Sequence, residues 1–243
     1  MKPQNHILQL QNLSVGYSKP LLQNVSVSFA SPCLVGIIGN NGKGKTTLLK
    51  NLSGLQKPLS GQILFNDKNI FDLSAAERSK IVSLCFASNY ITFPISVYEL
   101  VSMGRYPYNN HWAGLSKDDE KIIDGAIDLC GIKNLQHNFV TSLSDGERQK
   151  TFIAKTLAQQ TPVILFDEPS AFLDYASKKH FFQTMKEIAT EQQKIILISS
   201  HDIDFLTAYA DNLLMIEEDE SVLYGSTNQI MQTEYFNTHF TKK

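Results

Sequence analysis

The chain has little cysteine, a single tryptophan and no long apolar run in its 243 residues. Cys33, Cys85 and Cys130 are odd in number and far apart. That excludes a disulfide framework or a Cys-x-x-Cys metal spacing and points to buried thiols in a reducing compartment. The longest apolar stretches, such as residues 163–166 and 195–198, are far too short for a helix that spans a bilayer. Residues 1–6 contain no apolar segment of the signal-peptide kind. Positive charge is not in excess either: 22 Lys and Arg stand against 24 Asp and Glu, so no basic footprint for nucleic acid is present. Repeats and low-complexity tracts are absent. Together these absences predict a cytosolic protein, or one that reaches a membrane only through a partner. The apolar fraction of 42% suffices for one large core.

What is present is organised around Gly39-Asn40-Asn41-Gly42-Lys43-Gly44-Lys45-Thr46, followed by Thr47. This run fits G-x-x-x-x-G-K-[ST], the loop that wraps nucleotide phosphates. Leu34, Val35, Ile37 and Ile38 before it read as a short strand, and residues 46–52 behind it read as a helix. In that setting the glycines let backbone N–H groups converge on an anion, and the helix start adds partial positive charge. Lys45 suits the β- and γ-phosphates of ATP, and the Thr46 hydroxyl suits Mg²⁺.

Around this loop, residues 7–30 read as β-rich, interrupted at Gly16-Tyr17-Ser18-Lys19-Pro20. Tyr17 in that break is either a turn residue or a ring for stacking on a base. Another strand is expected at 62–65 and a buried one at 81–86. Ser74-x-x-Glu77 and Ser96-x-x-Glu99 are capping boxes, the second with Ile95 and Leu100 as a staple. An aromatic loop is expected over 105–112 and a helix over 117–130. Apolar strands at 163–166, 194–199 and 213–216 alternate with helices at 176–189 and 203–210. The pattern predicts an α/β fold: a parallel sheet covered by helices, with an N-terminal antiparallel β part and an inserted helical lobe. The expected division is 7–90 and 156–225 for the core, 95–155 for the lobe, and 226–243 for a C-terminal helix and tail.

Asp167 and Glu168 follow an apolar strand at the end where ligands of such sheets bind. Adjacent strand positions face opposite ways, so the two are expected to do different jobs. Asp167 suits the Mg²⁺ held by Thr46, and Glu168 suits orienting or deprotonating the water that attacks the γ-phosphate. Leu143-Ser144-Asp145-Gly146-Glu147 opens a helix with a further capping box. Gly146 leaves backbone N–H groups approachable there, which makes this helix start a second candidate anion site.

Leu143-Ser144-Asp145-Gly146-Glu147 resembles the signature motif of the ATP-binding subunits of ABC transporters. In the same order Tyr17 falls at that family's adenine-stacking aromatic, Gly39 to Thr46 at its Walker A, and residues 163–168 at its Walker B with the following glutamate. Ser170-Ala171-Phe172-Leu173-Asp174 resembles its D-loop, and His201 its switch histidine. The resemblance covers roughly residues 7–225. It implies a homodimer paired head to tail, in which Ser144, Gly146 and Glu147 meet ATP held by the other copy. It further implies that Lys45, Glu168 and His201 carry hydrolysis, and that Asp174 helps form the dimer seam. Residues 97–108 resemble the matching stretch of ATPase subunits of importers for iron-siderophore complexes, haem and cobalamin. Those work with a separate multi-span permease and a substrate-binding protein, at the cytoplasmic face of the membrane. A soluble ABC ATPase without permease, and a weakly hydrolysing regulatory subunit, are the competing readings.

Two positions depart from the family pattern. A glutamine is usual near Ala87 or Ser88, yet none occurs between Gln62 and Gln136. Lys43 stands where a small residue is commoner and adds charge beside the phosphates.

Overall fold

The computed structural model describes residues 5–87, 91–108 and 114–240. In chain order the elements are β1 (Ile7–Gly16), β2 (Pro20–Ala30), β3 (Cys33–Ile38), α1 (Lys45–Leu52), β4 (Ser60–Phe65), β5 (Lys68–Asn69), α2 (Ala75–Ser79) and β6 (Val82–Cys85). Then come α3 (Val97–Ser102), α4 (Lys117–Leu129), α5 (Asp145–Ala158), β7 (Val163–Asp167), α6 (Tyr175–Glu191), β8 (Ile195–Ser199) and α7 (Ile203–Tyr209). The chain ends with β9 (Asn212–Ile216), β10 (Val222–Ser226), α8 (Thr227–Met231) and α9 (Glu234–His239).

Six strands form the main sheet in the order β10-β9-β3-β8-β7-β6. All neighbours pair in parallel except β10, which returns antiparallel on β9. Every residue of β3, β7 and β8 is buried, as expected for strands covered on both faces. Their side chains alternate between two cores. Val35, Ile37, Leu165, Leu197 and Leu214 face one cluster, while Leu34, Ile38, Phe166, Ile198 and Met215 face the other.

The first cluster is closed by α1 together with a four-stranded antiparallel sheet, β2-β1-β4-β5. One face of the parallel sheet is therefore covered largely by strands, where the sequence predicts helices. Leu8, Leu10, Leu13, Val15 and Phe29 supply the apolar side of that second sheet. The opposite cluster runs without a break from the sheet into α3, α4 and α5, joining Val97, Ile123, Ile127 and Phe152 to Ile164 and Phe182. Ile95 and Leu100 are both buried in it, and the Ser96–Glu99 capping box is formed. The expected aromatic loop begins instead as a 3₁₀ turn, Met103–Tyr108, and Asn109 to Trp112 lie outside the described residues. Arg105 drives that turn inward: it is buried, bonds Asp119 at 2.7 Å and the Ala158 carbonyl at 2.8 Å, and stacks on Tyr108. β10 is a further strand at the end of the expected core segment, and two short helices stand where one helix and a tail are expected. Among the described residues no helix is long and apolar enough to cross a membrane.

Candidate functional site

The carboxyl ends of β3, β7 and β8 meet in the middle of the sheet, and the site is built there. β3 leads into the phosphate loop. Gly42 and Gly44 adopt φ of 78° and 97°, the left-handed region that side-chain-bearing residues avoid. A Cβ on Gly44 would also stand 3.1 Å from Leu21. Gly44 caps α1 without any side-chain bond, and no acidic residue sits in the first turn. The N–H groups at this helix start are thus left for an anion.

Lys45 is buried, and its ammonium donates to the Gly39 carbonyl at 2.6 Å and the Asn40 carbonyl at 3.4 Å. Burial pulls its pKa down, against the opposing charges of Glu168 and Asp167. The lysine therefore occupies the centre of its own loop, bonded to neutral carbonyls. Phosphate oxygens would replace weak partners with strong ones.

Asp167 ends β7. One of its oxygens accepts from the Thr46 hydroxyl at 2.7 Å, the other from the Ser199 hydroxyl at 2.8 Å. Hydroxyl and carboxylate oxygens are the donors that Mg²⁺ prefers, and it takes one or two protein ligands alongside phosphate and water. The pair Thr46–Asp167 fits that demand. Among the described residues no three His, Cys, Asp or Glu side chains converge into a closed metal cage.

Glu168 does not continue the strand, which corrects the expectation that pleating separates the two acids. Its φ is 50°, so the chain turns, and both carboxylates line the same cleft. The turn is pinned by the Glu168 N–H, which donates to the Ser199 carbonyl at 3.0 Å and to its hydroxyl at 3.1 Å. One Glu168 oxygen accepts from the His201 backbone N–H at 3.1 Å; the other lies 3.4 Å from the His201 ring Nε2 and is buried without a hydrogen bond. A buried carboxylate oxygen with spare capacity is suited to hold a water or its proton.

Tyr17, Leu21, Asn40 to Thr47, Asp167, Glu168 and His201 together line one cleft of about 310 Å³. Gly39 stands at its base as the carbonyl partner of Lys45. Tyr17 is 62% exposed at the rim, its ring free for a planar ligand. No residue of the Ser144–Gln149 stretch lines this cleft. Ser144 and Glu147 form the capping box, exposed at the start of α5, with the Glu147 carboxylate held below its usual range by the Ser144 hydroxyl and backbone. Gly146 lies close to the Phe172 carbonyl, 3.0 Å from where a Cβ would be. The expected second anion site is therefore on the same molecule but outside the first. Ala87 is described; Ser88 and Asn89 lie outside the described residues.

Several residues that organise the site give no sequence signal. Ser199 pairs in register with Asp167 across β7 and β8, and that pairing brings its hydroxyl to the Asp167 carboxylate and the Glu168 N–H. Asp202 gathers Ser170 at 2.6 Å and Lys178 at 2.8 Å, and Ser170 meets Ser200 at 3.2 Å. This ties the Ser170–Asp174 segment to the loop that carries His201. Asp174 caps α6 through Ser177. Lys43 reaches away from the cleft to the Glu218 carbonyl at 3.0 Å.

Residues 22–171 match the family model described as ABC transporter. The petrobactin import ATP-binding protein FpuC of Bacillus anthracis is 32% identical over 85% of this chain and 76% of its own length. The ferric enterobactin transport ATP-binding protein FepC of Escherichia coli is 31% identical over 93% and 84%. Among solved structures, cbiO1 from Clostridium perfringens, part of the ABC transporter complex cbiONQ, superposes with a TM-score of 0.81 at 28% identity, covering 98% of this chain and 96% of that one.

Proposed function

Since the chain belongs to the ABC transporter family and is an ATPase whose hydrolysis is coupled to transport, we propose that it energises import of an iron-siderophore, haem or cobalamin-type chelate through a separate permease. The observation that carries the proposal is the single cleft in which Tyr17, Lys45, Thr46, Asp167, Glu168 and His201 stand together. The relatives named for petrobactin import and ferric enterobactin transport support the direction and the substrate class.

In this reading Tyr17 stacks on the adenine and the loop N–H groups of residues 40–47 take the phosphates. Lys45 leaves the Gly39 and Asn40 carbonyls for the β- and γ-phosphates. Thr46 and Asp167 would hold Mg²⁺, which when bound neutralises phosphate charge. Glu168 positions the attacking water and accepts its proton through the oxygen that carries no hydrogen bond. His201, tethered to Glu168, stabilises charge on the transferred phosphoryl group. Ser144, Gly146 and the capping carboxylate of Glu147 stand outside this cleft, so they serve the site of a second copy. The functional unit is then a homodimer with Asp174 at its seam. It works on the cytoplasmic face of the membrane beneath a multi-span permease that is fed by a substrate-binding protein; nucleic acid has no part in the cycle.

Two experiments test this. Tagged protein drawn gently from its own membranes is expected to bring down a polytopic permease, whose cargo is then identified by uptake; recovery of soluble partners alone overturns the importer reading. Glu168→Gln keeps the amide oxygen for the His201 N–H but cannot take a proton, so turnover falls by about 10²–10⁴ while ATP still binds. Unchanged turnover would remove Glu168 from the chemistry.

A further inference from the structure

The phosphate loop carries two cations, and they face opposite partners. Lys45 points into its own loop, whereas Lys43, which also lines the cleft, sends its ammonium to the backbone carbonyl of Glu218 at 3.0 Å. Glu218 belongs to the connection between β9 and β10, where Glu217, Glu218, Asp219 and Glu220 follow one another. The other side of that connection is also fastened. The Gln23 side chain of β2 donates to the Glu220 carboxylate at 2.7 Å, and the Gln23 N–H donates to the Glu220 carbonyl at 3.4 Å. Within the turn, Asp219 accepts from the Ser221 N–H at 3.1 Å and Glu217 from the Ser221 hydroxyl at 3.2 Å. The Ser221 hydroxyl and N–H, and after them the Lys43 charge, hold the Asp219 carboxyl below its usual range. Burial, then the Glu218 and Glu217 charges, raise the pKa of Tyr235 on α9.

We propose that the acidic tip of the β9–β10 hairpin is a counter-site for Lys43: hairpin and nucleotide phosphate compete for the one ammonium at the lip of the cleft. The inference rests on the nucleotide-binding reading of that cleft. A lysine on a flexible four-carbon stem can exchange partners where an arginine fork would be committed. Without phosphate, the Glu218 carbonyl is the acceptor, in a turn whose acidic side chains add negative charge around it. With phosphate in the loop, a more concentrated negative charge stands beside the same residue. Transfer of Lys43 strengthens phosphate binding and releases the hairpin tip, so the tip reports the state of the loop to α9. The hairpin thus acts as an intramolecular brake on nucleotide affinity.

The test is a mutant cycle on the full chain, read as ATP affinity in the presence of Mg²⁺. Glu218→Gln with Asp219→Asn removes two carboxylates and keeps the acceptor for the Ser221 N–H. With Lys43 in place this pair is expected to tighten ATP binding by about three-fold, the size of one or two exposed charge interactions. Neutralising acids beside any anion site helps a little by itself, so the same pair is made with Lys43→Met, where the gain should be clearly smaller. Equal gains in the two backgrounds overturn the proposal. Hydrogen exchange supplies an independent reading: ATP should speed exchange over residues 217–222 in the native chain and leave it unchanged in Lys43→Met. Protection of the tip by ATP would overturn the proposal from the other side. If the native chain binds no ATP at all, it is the function of the cleft that fails, and the two failures are told apart.

Discussion

Replacing Ser199 with alanine separates a stability effect from a metal effect at one atom. The side chain is fully buried, donates to Asp167 at 2.8 Å, and accepts from the Glu168 N–H at 3.1 Å. The Glu168 N–H keeps the Ser199 carbonyl at 3.0 Å, so the variant leaves no orphaned backbone donor. What is lost is the hydrogen bond to a charged acceptor and one arm of the forked bond from the Glu168 N–H, together about 2 kcal/mol. For a domain of this size that lowers the melting temperature by about 4–8 °C. The second effect concerns the cation. Asp167 is held between the hydroxyls of Thr46 and Ser199. If Thr46 turns to Mg²⁺, Ser199 alone fixes the carboxylate. Loss of such an orienting partner weakens metal affinity by about 10–100-fold. The assay is ATP turnover across a Mg²⁺ titration at saturating ATP, beside ATP binding in chelator. Half-maximal Mg²⁺ should rise at least about ten-fold, while binding in chelator stays level. A lowered melting temperature with an unmoved Mg²⁺ curve would refute the claim that Ser199 orients a metal-holding carboxylate.

Three further outcomes follow from the same geometry. Tyr17→Ala should weaken ATP binding by about ten-fold and Tyr17→Phe should not, since a stacked ring contributes about 1–1.5 kcal/mol and the phenol oxygen is not needed; fluorescence titration measures both. Arg105→Met breaks the buried pair with Asp119, at a loss of about 3 kcal/mol in urea unfolding; a loss under about 1 kcal/mol would mean that the pair is solvated and its stabilisation slight. Burial, then the Asp211 charge, push the Cys33 thiol up to about 12 from 9.0. The folded chain then holds a proton that the unfolded chain releases above its ordinary value, so this stabilisation is complete below pH 9 and is lost as pH rises toward 12. Native protein should lose stability faster than Cys33→Ala across that window, by about 1.4 kcal/mol per pH unit.

The phosphate loop and its flanks were legible because the constraint is local: two glycines, a lysine and a threonine fix the turn whatever surrounds it. The capping boxes at Ser74, Ser96 and Ser144 were legible for the same reason, and all three form. What escaped depends on partners distant in sequence. Strand β10 is an edge strand whose residues are only partly buried, so its composition carries little apolar signal. The N-terminal antiparallel part is expected from the sequence, but its position over one face of the main sheet requires knowing where β1 and β4 pair. Ser199 reaches the Asp167 carboxylate and the Glu168 N–H through the register of β7 and β8, and Lys43 meets Glu218 across 175 residues. The mistaken separation of Asp167 from Glu168 came from extending strand periodicity one residue too far, past the point where Glu168 takes a positive φ.

That positive φ has a consequence for how the protein can be altered. By conformational preference alone, position 168 suits glycine or asparagine, and a glutamate there is disfavoured by about 1 kcal/mol or more. The residue is kept where its backbone would choose otherwise, with the two Ser199 bonds holding its N–H and the His201 N–H holding its carboxylate. A search for stabilised variants that scored folding alone would therefore be drawn to this position and would discard the acid. With the role proposed for Glu168, stability and turnover pull in opposite directions at one residue.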